Sequence, residues 1–370
     1  MLEFFKVKNK SFIGIDFATS SIKVVELSYK NQKVSLENYG IVDLNFGENE
    51  QKKIVENNST YNQKINTALK NLVNKMELRH GAQAYVSIPG FSGIITIIEL
   101  PVMKQDELAR AIQFEAHKYI PSSLDEVVMS WEVVEQIGNV PSVELSKTED
   151  NANKNIKNKV LLVAAPKKEI EYYDKLVSGV NFEVSAIELE TFSIARSLVG
   201  DDNGVYFIID IGSRSTNIIL IEKSVVRVNR NINAGGNEIT TTISDSMSIS
   251  RQRSEIFKKG SKDLLNTKES SLTIPVLELI VSESKRILNL FMEKNKGVRI
   301  DGIFLSGGTS KMEGMEEYFT RCLGMSVKVG DPWRRISVSD EVAPLVKELG
   351  ASFSVAIGLA LRGVDEYRRK

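Results

Sequence analysis

A chain of 370 residues is long enough for two domains of ordinary size or for one two-lobed fold. With 48 Lys and Arg against 48 Asp and Glu its formal net charge is zero, which argues against a broadly basic nucleic-acid binder. The single cysteine, Cys322, excludes an intrachain disulfide and a Cys-built metal site, and the two histidines, His80 and His117, exclude a His-rich one. The opening MLEFFKVKNK has too short an apolar run for a signal-peptide core, and no uncharged stretch approaches a membrane span. The expectation is a soluble, cytoplasmic, globular chain.

Phe12–Phe17, Ala18–Ser21 and Ile22–Leu27 read as strand, small-residue turn, strand. A third strand is expected near Val34–Val42 and a polar loop over 45–63. A helix runs from Ile65 to Met76, with apolar residues at 65, 68, 69, 72, 73 and 76. Ala84–Gly90 is a strand closed by Pro-Gly, and Ile94–Leu100 is another. A helix follows from about Asp106. Leu108, Ile112 and Tyr119 share one face, Glu115 falls within that face, Phe114 points away, and Pro121 stops the helix. Glu115 either reaches water at the stripe's edge or contacts a neighbouring subdomain or partner. The polar run 138–159 reads as a hairpin loop between strands at Val127–Val134 and Val160–Ala165. A helix near Lys168–Val177, a short strand and a helix around Leu189–Leu198 come next.

At Asp201–Gly204 the pattern restarts. Val205–Asp210, Ile211–Ser215 and Thr216–Glu222 repeat the strand, small-residue turn, strand of the opening, and Val225–Asn231 adds the third strand. Two copies half a chain apart point to a duplicated lobe. Residues 251–274 are polar. Val276–Phe291 is an amphipathic helix, Gly302–Ser310 a strand running into a Gly-rich turn, and Ser352–Tyr367 a last helix.

Three small-residue turns therefore stand at strand ends, at 16–23, 210–216 and 306–310. Such turns turn backbone N–H groups toward anions, and Gly lets the backbone approach a phosphate closely. An Asp at the strand end beside the turn, as Asp16 and Asp210 are, can hold Mg²⁺. Lys23 can reach a phosphate as a point charge.

This combination resembles the actin-like ATPase superfamily. It implies an α/β, two-lobed fold of two ribonuclease-H-like domains with ATP in the cleft between them. Phe12–Leu27 looks like the first phosphate motif, with Asp16, Thr19, Ser20 and Lys23 at the expected spacings. Phe207–Glu222 looks like the second, with Asp210, Gly212 and Thr216 aligned. Leu305–Ser310 resembles the adenosine motif, Gly307 and Gly308 passing under the nucleotide. Gly235–Thr240 matches the segment that enters the upper second-lobe subdomain, so Gly235 and Gly236 join the expected cofactor residues. By the same resemblance Glu255 and Lys258 fall near the ribose and base, and Asp16 and Asp210 hold the metal.

Within the superfamily, Glu107–Ala116, Lys118–Pro121 and Leu124–Val127 are similar to the signature of the PilM family of type IV pilus assembly proteins. Ala186–Arg196 and Ala356–Arg362 also look like that family. The resemblance implies a cytoplasmic ATP-binding scaffold, peripheral at the inner membrane. It would capture the short cytoplasmic N-terminal peptide of PilN, a single-span membrane protein that pairs with PilO, and would meet the membrane only through partners. It also implies a first-lobe subdomain placed as in the division protein FtsA, the 1C subdomain, at residues 91–165. Subdomain 1A would then be 1–90, 166–200 and 350–370. Subdomain 2A would be 201–235 and 298–349, and 2B would be 236–297. Phe114 and Glu115 are the expected partner contacts.

Two departures bear on activity. Where actin has an acid and a glycine in the second phosphate motif, this chain has Ser213 and Arg214. Arg214 either contacts a phosphate or is solvated. No general base stands out, and Glu190 reads as helical surface charge, so hydrolysis is expected to be slow at most. A sugar-type kinase of the same superfamily would need a carboxylate base aimed at a hydroxyl, and 91–165 shows none. An FtsA-like filament-forming anchor would need a C-terminal amphipathic helix, and Val364–Lys370 has no apolar face.

Overall fold

The computed structural model describes residues 10–44, 59–79, 81–137, 156–266 and 272–369. The first apolar run forms β1 (Lys10–Phe17), buried over its last six residues. A strand covered on both faces calls for such a continuous run rather than alternation. β1 pairs antiparallel with β2 (Ser21–Lys30), and β2 with β3 (Lys33–Asp43). α1 (Ser59–Lys75) starts earlier than its apolar stripe suggests, inside the loop expected over 45–63; residues 45–58 lie outside the described chain. β4 (Gln83–Ile88) and β8 (Glu183–Leu189) add parallel strands, completing the order β3-β2-β1-β4-β8.

The second half repeats this plan. β9 (Val205–Ile211), β10 (Thr216–Glu222), β11 (Val225–Ile232), β12 (Gly302–Ser306) and β13 (Val327–Val329) form the order β11-β10-β9-β12-β13. Even the hairpin turns match. Asn31 and Gln32 in one lobe and Lys223 and Ser224 in the other all have φ between 50° and 62°, the two-residue pattern whose twist suits a hairpin. This is the repeated ribonuclease-H-like plan expected from the duplicated strand–turn–strand motif.

A third sheet interrupts the first lobe, with β7 (Lys157–Pro166) between β5 (Ile94–Pro101) and β6 (Val127–Ile137). β6 and β7 pair antiparallel, as the hairpin reading of 138–159 requires, and residues 138–155 lie outside the described chain. α2 (Gln105–Ala116) packs Leu108, Ile112 and Ala116 onto this sheet. Tyr119, expected on that face, is exposed at 41%. The helix ends at Ala116 rather than at Pro121, and i→i+3 bonds from the Lys118 and Tyr119 N–H groups tighten the following turn. Ile120 takes the buried place instead.

The remaining helices are α3 (Lys167–Ser178), α4 (Glu190–Leu198), α5 (Gly236–Met247), α6 (Arg251–Lys259), α7 (Pro275–Lys294), α8 (Met315–Leu323), α9 (Ala343–Leu349) and α10 (Ser354–Arg368). By length and composition the run Ala343–Arg368 would suffice to cross a membrane. Here α10 is a core helix, buried from Ser354 through Leu361. It joins Phe12 and Val25 of one sheet and Ile208 and Ile219 of the other in a single core. Two glycines permit the close approach. A Cβ at Gly14 would stand 2.0 Å from the Ala356 carbonyl oxygen, and one at Gly358 would stand 1.9 Å from that of Ser193.

Candidate functional site

The ends of β1, β4, β9 and β12 and the turns that follow them open onto one cleft of about 570 Å³ between the lobes. Its walls include Asp16, Thr19, Ser20 and Lys23 from the first lobe and Asp210, Gly212, Gly307 and Gly308 from the second, with Glu255 and Lys258 from α6. Ten of the thirteen expected cofactor residues are thus brought together. Thr216, Gly235 and Gly236 do not line the cleft. The Thr216 side chain is buried, its hydroxyl donating to the Ala234 carbonyl at 2.8 Å. The N–H groups of Gly235 and Gly236 donate to Glu238 Oε2 (2.7 Å) and the Gly212 carbonyl (2.9 Å). These three residues brace the second turn from behind, their donors already used.

The two strand-end aspartates sit in different surroundings. Asp16 on β1 is the register partner of Lys23 on β2, whose Nζ is 3.3 Å from Asp16 Oδ2, both side chains buried. Asp210 occupies the same place in the second lobe, but its neighbour across β10 is the neutral Asn217. Asn217 is turned to α4, donating to Thr191 Oγ1 at 3.0 Å. Burial pushes the Asp210 carboxyl up to about 6. The adjacent Ser306 hydroxyl opposes the rise, and repulsion from Asp16 adds to it.

Glu190, read from sequence as surface charge, lines the cleft instead. It starts α4 at the end of β8, so it enters from the same carboxyl edge of the sheet as the phosphate turns. Its Oε1 accepts the Gly90 N–H at 2.8 Å. Burial, reinforced by the Asp210 carboxylate, pushes Glu190 up to about 8 against the pull of that N–H. Strand-end position was the signal in the sequence, and it outweighs the surface preference of Glu. Ser213, Lys259, Thr309 and Lys311 also line the cleft.

The glycines of the third turn divide the work. Gly307 has φ +83°, and a Cβ there would meet the Ile211 carbonyl oxygen at 2.4 Å, so it seats the turn on β9. A Cβ at Gly308 meets nothing within 4 Å, leaving its backbone open to the cleft. Lys258 Nζ is 2.6 Å from Glu255 Oε2 and donates to Thr240 Oγ1 (2.9 Å) and the Gly236 carbonyl (3.1 Å). Burial draws its pKa down, opposed by Glu255.

This donor set fits a magnesium nucleotide. Among the described residues no three His, Cys, Asp or Glu side chains converge on one point. Two carboxylates beside anion-accepting turns suit Mg²⁺, which keeps several waters and takes other ligands from phosphates. On α2, Phe114 is 75% exposed, and Glu115 is paired to Lys118 of the following turn at 2.8 Å.

The profile of the family described as type IV pilus assembly protein PilM matches residues 14–364. Cell division protein FtsA of Neisseria meningitidis serogroup B is 24% identical over 300 residues, 72% of this chain and 68% of that protein. Among solved structures, a PilM–PilN type IV pilus biogenesis complex superposes with TM-score 0.76 at 22% identity, covering 95% of this chain and 98% of that one. MreB 5 of Spiroplasma citri, bound to AMPPNP, has TM-score 0.50 at 11% identity, covering 97% and 98%. These likenesses carry the actin-like fold, and with a profile match over nearly its whole length the chain belongs to the PilM family of type IV pilus assembly proteins.

Proposed function

We propose that the chain is an ATP-binding scaffold of the type IV pilus inner-membrane complex, cytoplasmic and held at the membrane through partners. The observation that supports nucleotide binding is the convergence of three duplicated or Gly-rich turns on one cleft with Asp16 and Asp210 at its floor. Asp16 and Asp210 would hold Mg²⁺, with Lys23 as a phosphate partner. The 17–21 and 211–215 turns would receive phosphate oxygens, and open Gly308 the nucleoside side. Bound Mg²⁺–ATP would supply charge and bridging oxygens that tie the two lobes together. It favours the closed arrangement only by its higher affinity for that arrangement.

The partner in this reading is the N-terminal cytoplasmic peptide of a PilN-like single-span protein, received by the subdomain of residues 91–165. Family membership and the exposed Phe114 support it. The test is a pair of calorimetric titrations. ATP should bind in a Mg²⁺-dependent manner, and a synthetic peptide of the partner's tail should bind the full chain. Phe114→Ala should weaken the peptide by about 2 kcal/mol if Phe114 is an anchor. Absence of both heats in the wild-type protein would discard the proposal.

A further inference from the structure

The start of β1, the tip of the β2–β3 hairpin and the end of α10 meet at one corner of the first lobe. Strand register sets Lys10 beside Tyr29, Tyr29 beside Val34 and Lys30 beside Lys33. Rings and cations fasten α10 there. The Tyr367 ring centroid lies 5.9 Å from that of Phe12 and 6.1 Å from that of Tyr29. Lys10 Nζ stands 4.9 Å from the Tyr367 ring, and the Arg368 guanidinium 4.7 Å from the Tyr29 ring.

The corner is basic. Lys10, Lys30, Lys33, Arg368 and Arg369 are all exposed. Among the described residues only Arg368 of these five has a carboxylate partner, Asp365 at 3.6 Å. On the same elements Glu366 is held by Arg362 at 2.9 Å, and Glu37 accepts the Ser28 hydroxyl. Cations in the last turn of a helix have an ordinary reason in the helix dipole. Lysines at the outer strand β3 have another, since they blunt pairing. Neither reason brings the two sets together. Residues 1–9, outside the described chain, run into Lys10 and carry Leu2, Phe4, Phe5 and Val7 among Lys6 and Lys8.

We infer that this corner rests directly on an anionic lipid surface, a contact beyond the partner-held attachment proposed above. Lys and Arg are drawn to acidic headgroups. Tyrosines such as Tyr29 and Tyr367 suit the headgroup level, where one end of the ring is apolar and the other wet. Apolar residues among cations, as in 1–9, are the composition of an interfacial segment. None of the corner residues lines the cleft, and a strand start, a hairpin tip and a helix end present a surface rather than a groove. Lys10 opens β1 and Asp16 stands near its other end, about 20 Å away by strand rise. A chain resting on lipid in this way keeps its cleft open to nucleotide.

The probe is flotation of the full chain, with no partner present, on vesicles of phosphatidylglycerol and phosphatidylethanolamine, against vesicles of phosphatidylcholine alone. Binding should require the anionic lipid and fall as salt rises. Each cation near the surface is worth about fivefold in partition, so Lys30→Gln combined with Lys33→Gln should weaken binding about 25-fold. Arg368→Gln combined with Arg369→Gln should weaken it as well. Both double variants change exposed side chains and should keep wild-type ATP affinity. Undiminished flotation of both variants, equal binding to the neutral vesicles, or no binding to the anionic ones at low salt would each overturn the inference. A fluorescent polyglutamate peptide that binds the wild type and neither variant, without flotation, assigns the corner to an acidic protein and likewise overturns it. These outcomes report on the chain and lipid alone, so nucleotide binding and capture of the partner's tail stand or fall separately.

Discussion

The hydroxyls of Thr19 and Ser213 lie 2.5 Å apart, bonded across the cleft. Each stands three residues after the aspartate at its strand end, Asp16 in one lobe and Asp210 in the other. The duplicated turns therefore meet at equivalent positions, and both groups there are neutral. An oxygen-rich ligand entering between the turns exchanges one hydroxyl pair for bonds to itself, without displacing a charge.

That neutrality bears on turnover. Ser213 adds no carboxylate to the metal site, and Glu190, pushed up to about 8, holds its proton at neutral pH. We expect ATP turnover at pH 7 to fall below the range of typical enzymes, roughly 1–1000 per second. Whatever turnover exists should rise as pH passes through 8, where Glu190 ionises and can accept a proton. A phosphate-release assay checks both; a fast rate at pH 7 contradicts the expectation.

Nucleotide affinity should depend on the strand-end acids and on the open glycine. Asp16→Ala and Asp210→Ala remove charge-assisted metal contacts, typically worth about 1.5–3 kcal/mol, or roughly tenfold to a hundredfold in affinity. Gly308→Val places a branched side chain where a Cβ now meets nothing. It should fold normally yet bind ATP more weakly. Calorimetry showing wild-type affinity in all three variants would remove the cleft from consideration.

The metal contribution should also fade in acid. Asp210 has its carboxyl pushed up to about 6, so it is ionised at pH 7.5 and protonated below 6. The Mg²⁺-dependent part of ATP affinity should hold from pH 8 to about 6.5 and then decline as pH falls. Its limiting slope is roughly tenfold per pH unit. In Asp210→Asn the decline should be absent between pH 7 and 5.5. A wild-type affinity flat over that range would mean that Asp210 does not hold the metal.

Glu190 should cost the unliganded protein stability at high pH. Its folded pKa is raised, so the folded chain keeps a proton that the unfolded chain releases between about 4.5 and 8. Stability is therefore full below that window and declines as pH rises through it. Glu190→Gln keeps an acceptor for the Gly90 N–H and removes the titration. With cleft water screening part of the shift, it should stabilise the protein by about 2 kcal/mol at pH 9 and by little at pH 4.5. Denaturant titrations at the two pH values decide it; equal effects at both would mean that Glu190 ionises freely.

The lobes, their strands and most of the cleft were legible because the strands buried on both faces are written as long apolar runs ending in Asp and small residues. The hairpin turns Asn31–Gln32 and Lys223–Ser224 were not, since neither carries the glycine that usually marks positive φ at both positions. Glu190 was missed because its residue type speaks for the surface and only its place at a strand end speaks for the cleft. Thr216, Gly235 and Gly236 stand behind the second turn rather than in the cleft wall, because a motif gives spacing along the chain and not which donors are already spent. Tyr119 went to the wrong face because a helical period cannot see a helix that tightens after Ala116.

Two family-like segments, 186–196 and 356–362, lie far apart in the chain. They meet in one ionic network. Glu188 Oε1 is 2.6 Å from Arg196 Nη1 and accepts the Ser193 hydroxyl at 2.5 Å, while Glu188 Oε2 is 2.9 Å from Arg362 Nη1. Arg196 also donates to the Gly358 carbonyl at 2.8 Å, fastening α4 to α10. Burial alone would raise the Glu188 carboxyl, but Arg196 and Arg362 outweigh it and hold it below the ordinary value. Its contribution is thus present above the unfolded pKa and lost as pH falls through the folded one. Glu188→Ala leaves two guanidinium groups facing each other without their carboxylate, and breaking a buried pair in this way costs about 3–5 kcal/mol. Arg362→Ala, which leaves the Arg196 contact intact, should cost less. Urea denaturation at pH 7 should rank Glu188→Ala well below Arg362→Ala in stability, and the gap should narrow as the pH is lowered toward 3. Equal midpoints for Glu188→Ala and wild type would show that the α4–α10 packing, with Gly358 against Ser193, holds the lobe without the network.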